Sequence, residues 1–307
     1  MGSRAVEGDG AADDPSGTGG GAPIGRQPFG RAEANAWAMN GELRPAHMVT
    51  LVAEADATAM ESLRERARTR GAVAPSYTAL VVKAAALTMR RNPQANRAII
   101  GPPLFRRLWQ FRRCDICVAV EKGLPSLPGQ PYVSPIRDPD TKSPEAITGE
   151  LHELAACDEA THPGYRLYMR ILRHVPRPIS TFLVRLPTLV PRLWVEHRGC
   201  AAWVNAPSKA GADLVMTTWP WPISFSFGVV RKRPVVVDDD RVEARLTMPL
   251  VMIFDRRIMG GGPGSRLLAQ FRQILEHADV ELAGGAAEAG ADAAPLTPKV
   301  DVDRIAA

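Results

Sequence analysis

Apolar positions along the chain change their spacing several times, and each spacing predicts a different element. From residue 49 to residue 53 every second side chain is apolar, as in a strand with one buried face. After residue 57 the apolar side chains recur three or four positions apart, which predicts a helix that Gly71 can end. Thr58 and Glu61 have the spacing of a capping box at the start of this helix.

Three further helices and a late series of strands follow. Ser76, Ser143 and Ser265 each precede a helical pattern, in the position of an N-cap. The late stretch ISFSFGVVRKRPVVVDDDRVEARLTMPLVMIFD predicts three strands, with the aspartates 238–240 in a hairpin turn. Because the helices come early and the antiparallel-looking strands come late, the pattern predicts an α+β fold in one domain.

Composition sets the limits of that domain. Residues 1–27 are rich in Gly, Ala, Asp, Ser and Pro and have almost no large apolar side chain, so we expect a disordered N-terminal extension. Residues 284–307 are similar in kind and are expected to form a flexible tail. The folded domain is therefore predicted to span residues 28–283, and its hydrophobic content is sufficient for a sizeable core.

Charge, cysteines and the absence of targeting patterns limit the function classes. The net charge of +5 is mildly basic, and no aromatic and basic recognition motif accompanies it, so we predict no nucleic-acid partner. An anionic small molecule or carrier suits the charge equally well.

Cys114 and Cys117 have CxxC spacing, but they lie in a strand-like stretch where positions three apart face opposite sides, so no metal site is predicted. No long apolar run or secretory signal is present, which predicts a cytoplasmic protein.

The segment 163–198 differs from the rest of the chain. It is apolar and arginine-rich, interrupted by prolines, and its first acidic residue is Glu196. Such a segment could rest on an anionic membrane or dock a partner helix. The favoured interpretation is that its apolar stripe covers the core while its arginines are solvated.

Several stretches, in this order, resemble one known family. They are AHMVTLVAEADAT, SYTALVVKAAALTMRRNPQAN, DICVAVEKGL with SPIRD and KSPEAITGEL, and GVVRKRPVVVDDDRVEARLTMPLVMIFDRRIMGGGPGSRLLAQFRQILE. They span most of residues 45–280 and resemble the catalytic domain of 2-oxoacid dehydrogenase acyltransferases, whose fold is shared with chloramphenicol acetyltransferase. The family pattern is much shorter at 163–198, so that segment resembles an insertion.

The resemblance implies a two-layer sandwich in which a mixed sheet has helices on one face. It also implies a homotrimer with active sites between subunits, acyl-CoA or an acyl carrier as partner, and no covalently bound cofactor. A coenzyme A thioester would be the cosubstrate.

The family's catalytic signature is altered in this chain. The signature reads Asp-His-Arg, two apolar residues, Asp, Gly, and its histidine acts as the general base. Asp255 and Arg257 match it, whereas Arg256 stands in place of the histidine and Gly260 in place of the second aspartate. Upstream, Val204, just before Asn205, takes the place of the serine that stabilises the oxyanion.

These changes leave three hypotheses open. An arginine with a pKa above about 12 cannot accept a proton at neutral pH, so the family's mechanism should be nearly silent. A remodelled acyltransferase could use Arg256 to bind an anionic group and take its base from His47, His197 or Cys200. The chain could instead be a catalytically inactive trimeric scaffold or regulator, with Arg256 paired to Asp255 or to a neighbouring subunit. The third hypothesis is a non-acyl enzyme that reuses the substrate tunnel.

Candidate substrate-binding residues lie in the stretch TTWPWPISFSF and in the glycine turn. Trp219 and Trp221, between prolines, could line a pocket for a flat or hydrophobic ligand, or fill the core. Ser224 and Ser226 share a strand face and could supply the missing hydroxyl donor. Gly260 could permit close backbone approach to the substrate.

Overall fold

The computed structural model describes residues 47–102, 104–122, 131–206, 211–237 and 240–283. The predictions for the extension 1–27, the tail 284–307 and the aspartates 238 and 239 lie outside these residues. No helix among the described residues is long and apolar enough to span a bilayer.

Strands and helices are interspersed along the whole chain. The strands are β1 (Met48–Asp56), β2 (Arg97–Ile100), β3 (Arg107–Gln110), β4 (Ile116–Glu121), β5 (Pro131–Ile136), β6 (Ala202–Asn205), β7 (Ile223–Phe227), β8 (Arg231–Val236) and β9 (Val242–Asp255). The helices are α1 (Thr58–Thr69), α2 (Tyr77–Arg91), α3 (Pro144–Ala156), α4 (Pro163–His174), α5 (Arg177–Leu189), α6 (Pro191–Arg198), α7 (Gly261–Glu276) and α8 (Ala278–Glu281).

A seven-stranded mixed sheet forms the centre of the fold. Its order is β1-β9-β7-β6-β4-β5, and β8 pairs with the first half of β9. The β4–β6 and β6–β7 pairs are parallel, and the others are antiparallel. Strands β2 and β3 form a separate hairpin. The predicted α+β class and the three late strands are confirmed.

The main core lies between one face of the sheet and the helices. Alternate residues of β9, Met248 to Phe254, point into it with no exposed surface, as the period of a strand requires. Buried residues of α2 and α7, among them Leu80 and Phe271, pack in the same cluster. The predicted arrangement of helices against a face of a mixed sheet is thus confirmed.

The second face of the sheet carries a smaller core that the sequence pattern did not predict. Its members include Cys117 of β4, Trp203 of β6, Trp194 of α6 and Trp221. Cys114 belongs to the main core, so the two cysteines of the CxxC lie in cores on opposite sides, as predicted. Helix α6, from the arginine-rich segment, therefore covers the face opposite the main helices.

Two of the expected helix caps are present. The side chain of Ser76 accepts a hydrogen bond from the backbone N–H of Ala79, and Ser143 accepts one from Ala146. The capping box of Thr58 is wrong, because Ala57 is the N-cap and the carboxylate of Asp56 accepts the Thr58 N–H at 2.8 Å.

The cap at Ser265 is also wrong, because α7 begins one turn earlier, with Gly260 as its N-cap. The first turn of α7 has no apolar side chain that could reveal it. A Cβ on Gly264 would lie 2.5 Å from the ring of Phe254, so this turn packs through its backbone. An early helix start made of glycines is invisible to hydrophobic periodicity.

Candidate functional site

The turn that follows β9 is closed by a charge pair between Asp255 and Arg257. Asp255 is 6% exposed, and its Oδ1 accepts the backbone N–H of Arg257 at 2.9 Å. The guanidinium donates to both carboxylate oxygens, through Nε at 2.9 and 3.0 Å and through Nη2 at 2.5 Å. These hydrogen bonds raise the pKa of Arg257. The bidentate geometry fixes the turn more firmly than a single ion pair would.

Arg256 is exposed at the top of this turn. Its backbone N–H donates to the carbonyl of His47 at 2.8 Å, but within the described residues its guanidinium has no hydrogen bond or ion pair. Asp255 is thus held by Arg257 and not by Arg256. An unpaired, exposed guanidinium can bind an anionic group without first breaking an internal bond.

His47 lies directly across from Arg256. The β1–β9 register ends with Met48 paired to Asp255, and directly beyond this pair the backbone N–H of Arg256 donates to the carbonyl of His47. Of the three sequence candidates for a general base, His47 is the one whose backbone is hydrogen-bonded to Arg256.

Cys200 and His197 lie before the start of β6, which is two strands away from β9. They are at the same end of the strands as the turn. Ala202 pairs with Ile223, which pairs with Phe254, so Cys200 lies about 10 Å from the end of β9. Cys200 is 1% exposed, and its thiol donates to the carbonyl of Arg113 at 2.8 Å. Burial raises the pKa of this thiol, so the reactive thiolate is disfavoured. His197 is exposed on the last turn of α6.

Val204 and Asn205 lie at the opposite end of β6, further along the strands from the turn. The side chain of Val204 is 2% exposed and belongs to the main core. Asn205 pairs with Ser226, and Ser226 pairs with Val251, four residues from Asp255, which corresponds to roughly 13 Å along the strands. A single chain therefore does not bring Asn205 next to the Arg256 turn.

The two tryptophans of the WPW stretch pack with Trp203. Ring centroids of Trp203 lie 5.2 Å from Trp219 and 6.0 Å from Trp221. Trp221 is 1% exposed, and its Nε1 donates to the carbonyl of Arg198 at 2.8 Å. The structure places Trp221 in the second core, whereas Trp219 remains partly exposed beside it.

Ser224 and Ser226 lie on the second face of β7, beneath this aromatic cluster. Both are 1% exposed, and within the described residues their hydroxyls and the Nε1 of Trp203 are buried without a hydrogen-bond partner. Trp203 pairs with Ser224 across the β6–β7 ladder, so two of the three atoms belong to neighbouring residues. A buried polar atom without a partner costs about 1 to 3 kcal/mol. These atoms are therefore candidate contacts for a polar ligand.

Sequence reasoning missed the role of Arg198. Its guanidinium is 5.1 Å from the ring centroid of Trp194 and 5.6 Å from that of Trp221, and the residue is 3% exposed. It also donates to the carbonyls of Pro220 and Val184. The only available signal was its place as the last of a series of arginines, directly before Gly199. Arg198, in the last turn of α6, therefore contacts both α5 and the WPW stretch.

The chain matches the family description "2-oxoacid dehydrogenases acyltransferase (catalytic domain)" over residues 30–161 and 225–283. The unmatched stretch 162–224 contains the arginine-rich segment. No curated protein matches the chain in sequence. Gly260, at the second altered signature position, is exposed as the N-cap of α7.

Solved structures similar to this chain include acyltransferase cores. A probable dihydrolipoamide acetyltransferase from Listeria monocytogenes is 20% identical with a TM-score of 0.61, covering 85% of this chain and 98% of its own. The dihydrolipoamide acetyltransferase of Azotobacter vinelandii is also 20% identical with a TM-score of 0.61, covering 84% and 94%. The cubic core of a pyruvate dehydrogenase multienzyme complex is 18% identical with a TM-score of 0.61 and the same coverage. At these identities the similarity shows a shared fold.

Proposed function

Because this chain belongs to the 2-oxoacid dehydrogenase acyltransferase family, we propose that it binds and transfers an acyl group carried as a thioester. The donor would be coenzyme A or an acyl carrier, and the site would lie between subunits of a homotrimer. The thioester is a cosubstrate, and the protein needs no covalently bound cofactor.

The observation that carries this proposal is the division of roles within the turn. The Asp255–Arg257 pair keeps the turn in shape, while Arg256 is exposed and its guanidinium has no hydrogen bond or ion pair within the described residues. A scaffold function would have favoured an Arg256 buried in an ion pair. An exposed guanidinium instead suits a phosphate or carboxylate of the incoming ligand, which it can bind with two parallel hydrogen bonds.

His47 is the proposed general base. Arg256 cannot accept a proton, and the thiol of Cys200 is buried and already donates to a carbonyl. His47 would take the proton from the attacking hydroxyl or thiol of the acceptor. The new bond forms at the thioester carbonyl carbon, the carbon–sulfur bond breaks, and the protonated His47 returns its proton to the leaving sulfur, which releases the donor as a thiol. Since Val204 offers no hydroxyl, Ser224 and Ser226 are the proposed hydroxyl donors to the carbonyl oxygen of the thioester.

The distance between Arg256 and Asn205 supports a site between subunits. Within one chain Asn205 lies two strands from β9 and level with Val251, roughly 13 Å along the strands from the turn. In a homotrimer, the turn of one subunit would meet the Asn205 edge of the next. One of the similar structures is the cubic core of a multienzyme complex.

Two alternatives remain. A catalytically inactive trimeric scaffold is favoured by the two altered positions, Arg256 and Val204, which remove the family's base and hydroxyl donor. A non-acyl enzyme that reuses the tunnel would account for the buried polar atoms of Ser224 and Ser226 without requiring a base.

Calorimetric titration with acetyl-CoA and free coenzyme A tests the proposal. We expect saturable binding in the micromolar range, which Arg256→Gln weakens about tenfold through loss of a charge-assisted contact. Arg241→Gln is the matched control, because Arg241 is an exposed arginine beside the opposite end of β9. Sedimentation measures whether each variant forms the trimer. If wild-type protein shows no binding at millimolar ligand, the proposal is refuted and the scaffold becomes the favoured alternative.

A further inference from the structure

Two segments that contain arginines and no acidic residue meet on one side of the molecule. Residues 97–114 include five arginines and no Asp or Glu, and residues 163–195 include six arginines and no Asp or Glu. The backbone N–H of Gly101, at the end of β2, donates to the carbonyl of Thr188 in α5 at 2.9 Å. The β2–β3 hairpin and α5 are therefore neighbours.

The hairpin exposes large apolar side chains at its tip and along its outer strand. Leu104 is 89% exposed and Phe105 is 73% exposed. All four residues of β3 are exposed, so Leu108 and Trp109 are open to solvent although they point to opposite sides of the strand. Arg106 and Arg107, also exposed, lie between these two apolar pairs.

Helix α5 exposes apolar side chains as well. Ile179 is 52% exposed and Phe182 is 54% exposed, while the buried residues of this helix are Ser180 and Pro187. The favoured sequence interpretation, an apolar stripe that covers the core, therefore applies to α4, whose tyrosines pack on the main core, and to α6 with its buried Trp194, but not to α5. Half of the fourteen exposed large apolar side chains of the described residues lie in the hairpin and in α4 and α5.

We propose that this surface, formed by residues 104–109 of the hairpin and by Ile179 and Phe182 of α5, binds the surface of an anionic phospholipid bilayer. Exposed aliphatic and aromatic side chains would enter the headgroup region, with Trp109 at the depth that tryptophan prefers. The exposed Arg106 and Arg107 would contact lipid phosphates and anionic headgroups. This contact lies at the interface and needs no membrane-spanning helix.

Charge complementarity favours a lipid surface over a second copy of this face. Arg113 and Arg173 are paired with Asp138 and Glu159, but Arg106 and Arg107 are exposed and have no ion pair within the described residues, so two copies placed face to face would bring like charges together. The exposed Leu104 and Phe105 also distinguish the surface from a purely electrostatic one, since a nucleic-acid backbone would gain little from aliphatic side chains at the hairpin tip.

Vesicle flotation of the full chain tests this proposal. We expect the protein to float with vesicles of phosphatidylglycerol and phosphatidylcholine, and to remain at the bottom with vesicles of phosphatidylcholine alone. The double variant Leu104→Ser/Phe105→Ser should bind the anionic vesicles roughly tenfold more weakly, because two apolar side chains no longer enter the interface. Phe182→Ser should weaken binding in the same direction from the helix.

A matched control uses another exposed hairpin. Val236→Ser/Val242→Ser removes two paired valines, each 66% exposed, beside the β8–β9 turn, and should leave vesicle binding unchanged. Thermal melting confirms that each variant is folded. The proposal is overturned if the wild-type chain binds neither vesicle, if it binds both equally, or if the control weakens binding as much as the hairpin variant. It is also overturned if the hairpin variant loses oligomeric state in sedimentation while its lipid binding is unchanged, because the face would then be a contact between copies.

Discussion

Replacing Gly264 with alanine tests how the glycine turn is packed. Gly264 lies in the first turn of α7, and a Cβ added there would be 2.5 Å from two carbons of the Phe254 ring. The ring cannot move aside easily, because Phe254 is fully buried in the middle of the main core and its strand is paired on both sides. The variant must therefore displace either α7 or β9.

The expected cost follows from two opposing terms. Overpacking a well-packed core costs about 1 to 3 kcal/mol, and alanine gains up to ~1 kcal/mol over glycine in a helix. With an overpacking cost of about 2 kcal/mol and the full alanine gain, the net destabilisation is about 1 kcal/mol, which corresponds to a melting temperature lowered by roughly 2 to 4 °C. Because Phe254 directly precedes Asp255, the same displacement should also weaken ligand binding at the Arg256 turn.

Differential scanning calorimetry on three variants measures the effect. Gly149→Ala is the matched control, because Gly149 lies within α3 and a Cβ there would meet nothing within 4 Å; this variant should melt about 2 to 4 °C higher. Gly261→Ala, in the same first turn as Gly264, also meets nothing within 4 Å and should be close to neutral. If Gly264→Ala melts at or above the wild-type temperature, the packing of α7 against Phe254 is not as described.

Three other predictions concern the site and its surroundings. Arg256→His alone should not restore fast acyl transfer, because Val204 still lacks the hydroxyl donor; a rate near that of the family's enzymes, in a coenzyme A release assay, would contradict the alignment of that position. Burial acts to raise the pKa of Glu61, but hydrogen bonds from Tyr77 and two arginines outweigh it and lower the pKa to about 2. A lowered pKa stabilises the fold above the unfolded value of about 4.5, and this stability is lost as the pH falls towards 2, so the pH dependence of urea unfolding in that range should be smaller in Glu61→Gln. All four cysteines are buried and free, and burial raises the pKa of Cys200. Ellman's reagent should therefore react with the native protein far more slowly than with the unfolded chain. Rapid labelling of one thiol in the native protein would instead show an accessible, activated cysteine.

Local patterns in the sequence were sufficient for most of the main sheet. The alternation in β7, with Ile223, Phe225 and Phe227 on one face, and the long apolar end of β9 both report burial directly. The caps at Ser76 and Ser143 were predictable because each bond joins residues three apart. Contacts of this kind are local and leave a local signal.

The second core and the site depend on contacts that have no local signal. Trp194 and Trp203 are both buried in the same cluster, but that follows from how α6 returns across the sheet. The position of His47 beside Arg256 depends on the β1–β9 register, which joins residues more than two hundred positions apart. The preference of Asp255 for Arg257 over Arg256 depends on the shape of the turn. Sequence alone named most of these residues but could not place them together.

The position of α6 means that the arginine-rich segment is not a single dispensable unit. Helix α4 packs Tyr165 and Tyr168 against the main core, and α6 supplies Trp194 and Arg198 to the second core, whereas the buried residues of α5 are Ser180 and Pro187. A chain that lacks α5 would lose the Val184 carbonyl that accepts from Arg198, but one that lacks α6 would expose Trp203 and Cys117. In amide exchange, α6 should open together with the sheet, whereas α5 should open earlier. The three helices of the segment therefore differ in how much the fold depends on them, and α6 matters most for the second core.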